Sequence, residues 1–297
     1  MQYRTPQDFE KALKSAIKRR VGSDSSAYNK MLQEFVFERF LTRIFMEEIP
    51  SFALKGGMGL LARIPDARTT TDIDLSATRL GMDESVKRLV KLASVDLEDF
   101  MTFQFKLSEP MSMSQTQPAR EGVVVHFSAL LGTTVSDIRL EVVRQPEFSS
   151  SIVKALPARR LGFPGLTHAE FVMIPIEQQI AEKVCATVQL YQGHESSRVK
   201  DLIDLVGIAR SLSISKRGLK QGLENEAHFR NLQIGETFEV PNSWRTNYQS
   251  NPEHGTAPKE LREIGAATKL VNTMLDLGNE QPADSIWNYS TLEWERP

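Results

Sequence analysis

A single cysteine, Cys185, is present in 297 residues. That excludes an internal disulfide and any metal site built from several thiolates. No apolar run approaches the roughly 18 residues that would suggest a membrane span. The opening residues, MQYRTPQDFEKALK, carry charge and no apolar signal-peptide core, so a cytoplasmic protein with no membrane partner is the expectation. Neither sign of charge dominates. The net charge is −2 and the pI about 6.3, so any nucleic-acid binding must rest on local basic patches. Internal repeats and low-complexity tracts are absent too. The remaining composition is that of an ordinary globular protein, long enough for one large domain or two modest ones.

The stretch at 52–77, FALKGGMGLLARIPDARTTTDIDLSA, organises the rest. Phe52-Ala53-Leu54 reads as a short buried strand, broken by Lys55-Gly56-Gly57. Met58-Gly59-Leu60-Leu61 opens a short helix, and a polar loop leads to Asp72-Ile73-Asp74-Leu75, which alternates as a strand does. Asp72 and Asp74 then share one face while Ile73 and Leu75 enter the core. Adjacent carboxylates repel, and a hard divalent cation such as Mg²⁺ relieves that repulsion while taking phosphate oxygens as further ligands. Gly56 and Gly57 lack β-carbons, so a phosphate can approach their backbone N–H groups.

The flanking chain reads largely as helix before this stretch and as strand, then helix, after it. Thr5-Pro6-Gln7-Asp8 is a helix start, and Lys11, Lys14, Lys18, Arg19 and Arg20 give that helix a solvated face or a phosphate track. A longer helix is expected at 26–48, with Met31, Phe35, Leu41, Ile44 and Phe45 as its apolar stripe. A further helix ends near Ser94; strands follow at 101–107, 122–130 and 135–143, with a polar, mobile loop at 109–120. In the last strand Asp137, Arg139, Glu141 and Val143 share one face. That face offers two acids, Glu141 and its rival Asp137, as candidates for a third carboxylate beside Asp72 and Asp74. The turn-rich PARRLGFP segment suggests a boundary, giving N-terminal helices at 1–50, a core at 51–160 and a helical domain at 161–297. There, 175–191 is an amphipathic helix with Lys183 beside its apolar stripe, and Lys200-Asp201 and Asp204 lie on the next helix. Helices are also expected at 215–226 and 258–277, with an extended aromatic segment at 238–248 between them. Trp287, Tyr289 and Trp294 in the tail read as docking onto the protein's own surface, with base stacking as the alternative.

In order and spacing, Lys55-Gly56-Gly57, the segment Arg68-Thr69-Thr70-Thr71-Asp72-Ile73-Asp74-Leu75, Glu141-Val142-Val143, the helix bearing Pro175, Glu177, Gln179, Ala181 and Lys183, and Lys200-Asp201 with Asp204-Leu205 resemble the AbiEii/AbiGii (MenT-like) nucleotidyltransferase toxins of bacterial toxin–antitoxin systems. One position departs, since Met58 stands where a small hydroxyl residue often follows the glycine pair. The resemblance implies an α/β (α+β) fold, with a mixed sheet, flanking helices and a C-terminal helical domain. It implies Mg²⁺ on Asp72, Asp74 and Glu141, and nucleotide contacts from Lys55, Gly56, Gly57, Thr70, Lys183 and Lys200. Lys183 would reach over the cleft to the triphosphate, and Asp201 would sit close to the reacting hydroxyl. The implied activity is transfer of nucleotides from NTP to a tRNA 3′ end, blocking aminoacylation, with an antitoxin as partner. The competing readings are a nucleotidyltransferase for small molecules of the antibiotic type and an inactive nucleotide-binding module.

Overall fold

The computed structural model describes residues 3–111, 120–145, 151–254, 257–278 and 281–296. Most of the loop expected at 109–120 lies outside them. The first helix, α1 (Pro6–Val21), starts as its sequence predicts, with the Asp8 amide donating to the Thr5 hydroxyl at 3.1 Å. α2 (Ser25–Ile44) stops short of the expected Glu48, and Glu47 instead accepts from the Ser51 amide and pairs with Arg88.

There follow β1 (Phe52–Lys55), α3 (Gly56–Leu61), β2 (Ile73–Ala77), α4 (Met82–Ala93), β3 (Met101–Pro110), β4 (Gly122–Leu131), β5 (Thr134–Arg144), β6 (Val153–Ala155) and β7 (Phe171–Met173). All these strands join one seven-stranded sheet in the order β3-β4-β5-β2-β1-β7-β6. The pairs β2/β5 and β1/β7 are parallel and the others antiparallel. Alternation sorts the two faces as expected. Ile73, Leu75, Ile138, Leu140 and Val142 are buried in the core with α1, α2 and α4, leaving Asp74 and Glu141 on the opposite face.

The boundary expected between 160 and 161 falls inside this body. Leu54 of β1 pairs with Met173 of β7, and Leu161, Leu166 and Phe171 share a core with Phe9, Phe35 and Phe40 of the opening helices. Strands β6 and β7 escape a sequence reading because three residues each are too few to establish a period.

From Ile176 onward the chain builds a second core. Its helices are α5 (Ile176–Val188), α6 (Val199–Ala209), α7 (Lys216–Phe229), α8 (Arg245–Gln249) and α9 (Ile264–Leu275). The segment expected to be extended at 238–248 is instead a 3₁₀ turn at Asn242–Trp244 running into α8. Trp244 and Tyr248, four apart on one helical face, are both fully buried. The single helix expected at 258–277 is divided by extended backbone at Glu263. In the tail, β9 (Ile286–Asn288) pairs with β10 (Glu293–Glu295) and with β8 (Ile214–Ser215). Trp287 is fully buried there, its indole N–H donating to the Ala209 carbonyl at 2.7 Å, which makes it core and not a base platform.

One buried anion fastens α2 to the sheet. Asp99 accepts from Arg39 at 2.7 Å and from Arg43 at 2.7 and 3.0 Å, with all three side chains excluded from solvent. Asp99→Ala strands two buried guanidiniums and should cost about 3–5 kcal/mol, read as a lowered urea midpoint. An unchanged midpoint would mean that Arg39 and Arg43 are satisfied by carbonyl oxygens alone.

Candidate active site

The site begins where β1 ends. Gly56 has φ of 60°, and a β-carbon there would lie 1.8 Å from the Asp74 carboxylate oxygen Oδ2. Only glycine lets the chain turn so closely over that acid. At Gly57 a β-carbon would lie 2.7 Å from Thr70 Cβ, so both glycines serve close approach. Gln179 of α5 donates to the Gly56 carbonyl at 2.6 Å and steadies the turn from the helical side.

Strand register assembles the acids. Lys55 stands opposite Asp74 in the β1/β2 pair, and Asp74 stands opposite Glu141 in the β2/β5 pair. Burial pushes the Asp74 carboxyl up to about 6, with Glu141 and Asp72 adding repulsion against relief from Lys55 and Lys183. Asp72 accepts from the Thr71 hydroxyl at 3.1 Å. Arg139 places one guanidinium nitrogen 2.6 Å from Glu141 and 3.5 Å from Asp72. Asp137, the rival acid, is directed elsewhere: it is exposed, pairs with Lys106 at 2.5 Å, and lies four positions up the strand from Glu141. Among the described residues, no three carboxylate, imidazole or thiol groups converge closely enough to enclose a metal as they stand. The donor set is nevertheless one of hard oxygens, and it already draws a guanidinium onto two of its members.

Facing the acids is a cationic wall whose members are already paired. Lys183 does not project freely over the cleft, as its place beside an apolar stripe suggests. Its side chain is buried, with Nζ 3.0 Å from Asp201 and 2.6 Å from Asp204. Asp201 is gripped from the other side by Arg198 at 2.5 Å; although burial would raise its pKa, Lys183 and Arg198 hold it below the usual carboxylate range. In this arrangement Asp201 orients two cations and is poorly disposed to take a proton. Lys55 is bound to Glu182 at 2.7 Å, and Lys200 pairs with Glu253 at 3.2 Å. The Thr70 hydroxyl lies 3.4 Å from the Asp72 carbonyl.

Residues without an expected site role complete the site. Arg68 makes a two-pronged contact with Asp204 at 2.8 and 2.9 Å, and Lys30, Gln33, Arg198 and Glu253 line the same cleft of about 340 Å³. Arg68 opens one of the motif segments and Arg198 lies two residues before another, which is the signal the sequence offers for them; Lys30 and Gln33 belong to a helix that reads only as packing.

A glycine turn packed on a strand aspartate, a second acid beside it on the adjoining strand and a facing wall of cations thus meet in one cleft. The model of the AbiEii nucleotidyl transferase toxin family, of type IV toxin–antitoxin systems, matches residues 39–284, and the chain belongs to that family. Two solved Helicobacter pylori structures are similar in outline. One, provisionally described as a nucleotidyltransferase, shares 14% identity over 85% of this chain and 99% of its own, with a TM-score of 0.47. The other, JHP933, shares 13% over 84% and 94%, with the same TM-score of 0.47. No curated protein matches the chain.

Gly56→Ala should cost roughly 1–3 kcal/mol through left-handed backbone strain and displace Asp74, so transfer should vanish while the protein remains folded. Calorimetry beside a nucleotide-transfer assay checks this, and full activity would sink the close-approach account. Lys183→Ala leaves Asp201 and Asp204 without their shared partner and should cost about 3–5 kcal/mol even without nucleotide. A melting temperature equal to wild type would restore the picture of a freely projecting lysine.

Proposed function

We propose that the protein is a Mg²⁺-dependent nucleotidyltransferase that adds nucleotides from NTP to the 3′ end of tRNA, so that the tRNA can no longer be aminoacylated and translation stops. A cognate antitoxin restrains it in the cell. Family membership supports nucleotide transfer, a toxic outcome and an antitoxin. The observation that carries the chemistry is the single cleft holding Gly56, Gly57, Asp72, Asp74 and Glu141 opposite Lys183 and Arg198.

Asp72, Asp74 and Glu141 are the residues to hold the metal. A Mg²⁺ ion held there would neutralise carboxylate charge and polarise the phosphoryl oxygens. The Gly56–Gly57 turn leaves room for phosphate beside its backbone. Lys183 has three N–H donors and two are taken by Asp201 and Asp204, which leaves one to aim at a phosphate from a fixed position. The RNA 3′-hydroxyl gives up its proton to solvent water and attacks the α-phosphate; the new P–O bond forms as the bond to the leaving pyrophosphate breaks. Phosphoryl transfer asks mainly for such positioning and charge stabilisation.

The deciding experiment offers each labelled NTP to purified tRNA, to total RNA and to an aminoglycoside. Label on tRNA supports the reading, and label only on the small molecule overturns it. Asp72→Ala or Asp74→Ala should abolish transfer without lowering the melting temperature, because each removes a mutually repelling charge. Full activity in either purified variant would remove the metal assignment. Glu141→Gln should cut turnover sharply while Asp137→Asn, altering an exposed acid paired with Lys106, leaves it near wild type. The reverse ranking would move the third carboxylate to Asp137.

A further inference from the structure

The protein carries almost no net charge, yet one side of it gathers arginines from segments far apart in sequence. On α2, Lys30, Glu34 and Glu38 follow one another at helical spacing along one face. Lys30 borders the active-site cleft. Glu34 carries Arg159 at 3.4 Å. Glu38, mostly buried and bonded to His168 at 3.1 Å, lies in the field of Arg160. Arg159 and Arg160 therefore stand over α2 in successive steps away from the cleft. Eight helical residues span about 12 Å, a distance that takes in some three phosphates at about 3.4 Å each along one strand of a duplex.

The row continues past α2. Leu161, Gly162, Phe163 and Pro164 meet the last turn of α1 across an open hollow of about 300 Å³, whose other walls include Tyr3, Arg19 and Arg20. Arg19 and Arg20 are exposed and have no hydrogen-bond or ion-pair partner among the described residues. A helix C-terminus favours cations by itself, which accounts for Arg19 and Arg20 taken alone. It does not account for the loop that directly follows Arg160 meeting them across the same hollow. The acids beneath, Glu34 and Glu38, are largely buried and already engaged, which leaves Arg19 and Arg20 uncompensated at the surface and Arg160 exposed with only the field of Glu38 beside it.

We propose that this strip, running from Lys30 through Arg159 and Arg160 to Arg19 and Arg20, binds the phosphodiester backbone of the acceptor RNA and leads its 3′ end into the cleft. The proposal rests on the reading that the acceptor is RNA. Phosphate contacts fix register and orientation without reading sequence. The strip would thus select a structured RNA with a duplex next to its free 3′ end over a short single strand.

The test uses the full chain and an unmodified tRNA transcript, with binding followed by fluorescence anisotropy across a salt series. Arg19→Gln with Arg20→Gln should weaken binding about tenfold at low salt and flatten the dependence of log K on log salt by about two, one for each phosphate no longer neutralised. Arg160→Gln should flatten it by about one. A control pair with the same reduction in charge, Lys87→Gln with Lys91→Gln on the exposed face of α4, should leave the slope unchanged. Transfer to a short oligonucleotide with the same 3′ sequence should be unaffected in all variants. The strip is overturned if wild type does not bind the transcript, if the Arg19/Arg20 pair keeps the wild-type slope, or if the control pair changes it equally. Transfer is scored separately. If no RNA accepts a nucleotide while the slopes still shift as expected, the acceptor reading fails and the strip stands as an RNA-binding surface.

Discussion

The carboxylate of Asp204 is a point at which the two cores are joined. Arg68, on the loop between α3 and β2, grips it with two nitrogens at 2.8 and 2.9 Å, and Lys183 of α5 reaches it at 2.6 Å. One anion on α6 thus holds a loop of the sheet body and a neighbouring helix together. Its net contribution to stability is modest, because desolvating three charges offsets much of their attraction. What it determines is geometry. The loop held by Arg68 carries Thr69, Thr70 and Thr71 and delivers Asp72 to the head of β2, so the acids face the cations at a fixed separation.

α5 extends the same joint. Gln179, Glu182 and Lys183 stand at i, i+3 and i+4 and meet, in turn, the Gly56 carbonyl, Lys55 and the pair Asp201 and Asp204. The adjoining stripe of that helix presents Ile176, Ile180 and Val184 to the second core. One helix therefore packs by its apolar stripe and assembles the site by its polar one. Displacing it would disturb the glycine turn, the lysine beside it and the cationic wall at once. That coupling is why a substitution at Lys183 reports on stability as well as on nucleotide handling.

What is legible in the sequence follows the reach of local rules. The alternation of Asp72-Ile73-Asp74 and of the residues from Asp137 to Val143 sorts the faces of β2 and β5, and the Thr5 and Ser215 caps mark helix starts. Alternation alone does not choose between Asp137 and Glu141, because both share a face; the choice needs the register that sets Glu141 opposite Asp74. The union of Arg68 with Asp204 spans 136 positions and leaves no periodic trace. Lys183 reads as projecting because its partners lie on another helix. Trp244 and Tyr248 read as extended although their spacing of four is helical, since a brief 3₁₀ turn and one helical turn give too short a window for a period.

Charge across the cleft bears on the metal that the reading invokes. Its lining carries the cations Lys30, Arg68, Lys183, Arg198 and Lys200, matched by the acids Asp72, Asp74, Glu141, Asp201 and Glu253. A nucleoside triphosphate brings several more negative charges into a space that is formally neutral beforehand, and the acids stand on the side where the reaction is placed. Arg68 and Lys183 are tied to Asp204, and Arg198 to Asp201, so their attraction for phosphate is partly spent within the protein. On the proposed reading, positive charge entering with the nucleotide would favour binding. A nucleotide already complexed to Mg²⁺ would meet that need, with the acids as its ligands instead of its opponents. The same balance explains why Arg68 and Lys183 can be so fully paired. Asp204 holds both in place and largely out of solvent in advance, and such positioning before the nucleotide arrives is what transfer asks of them.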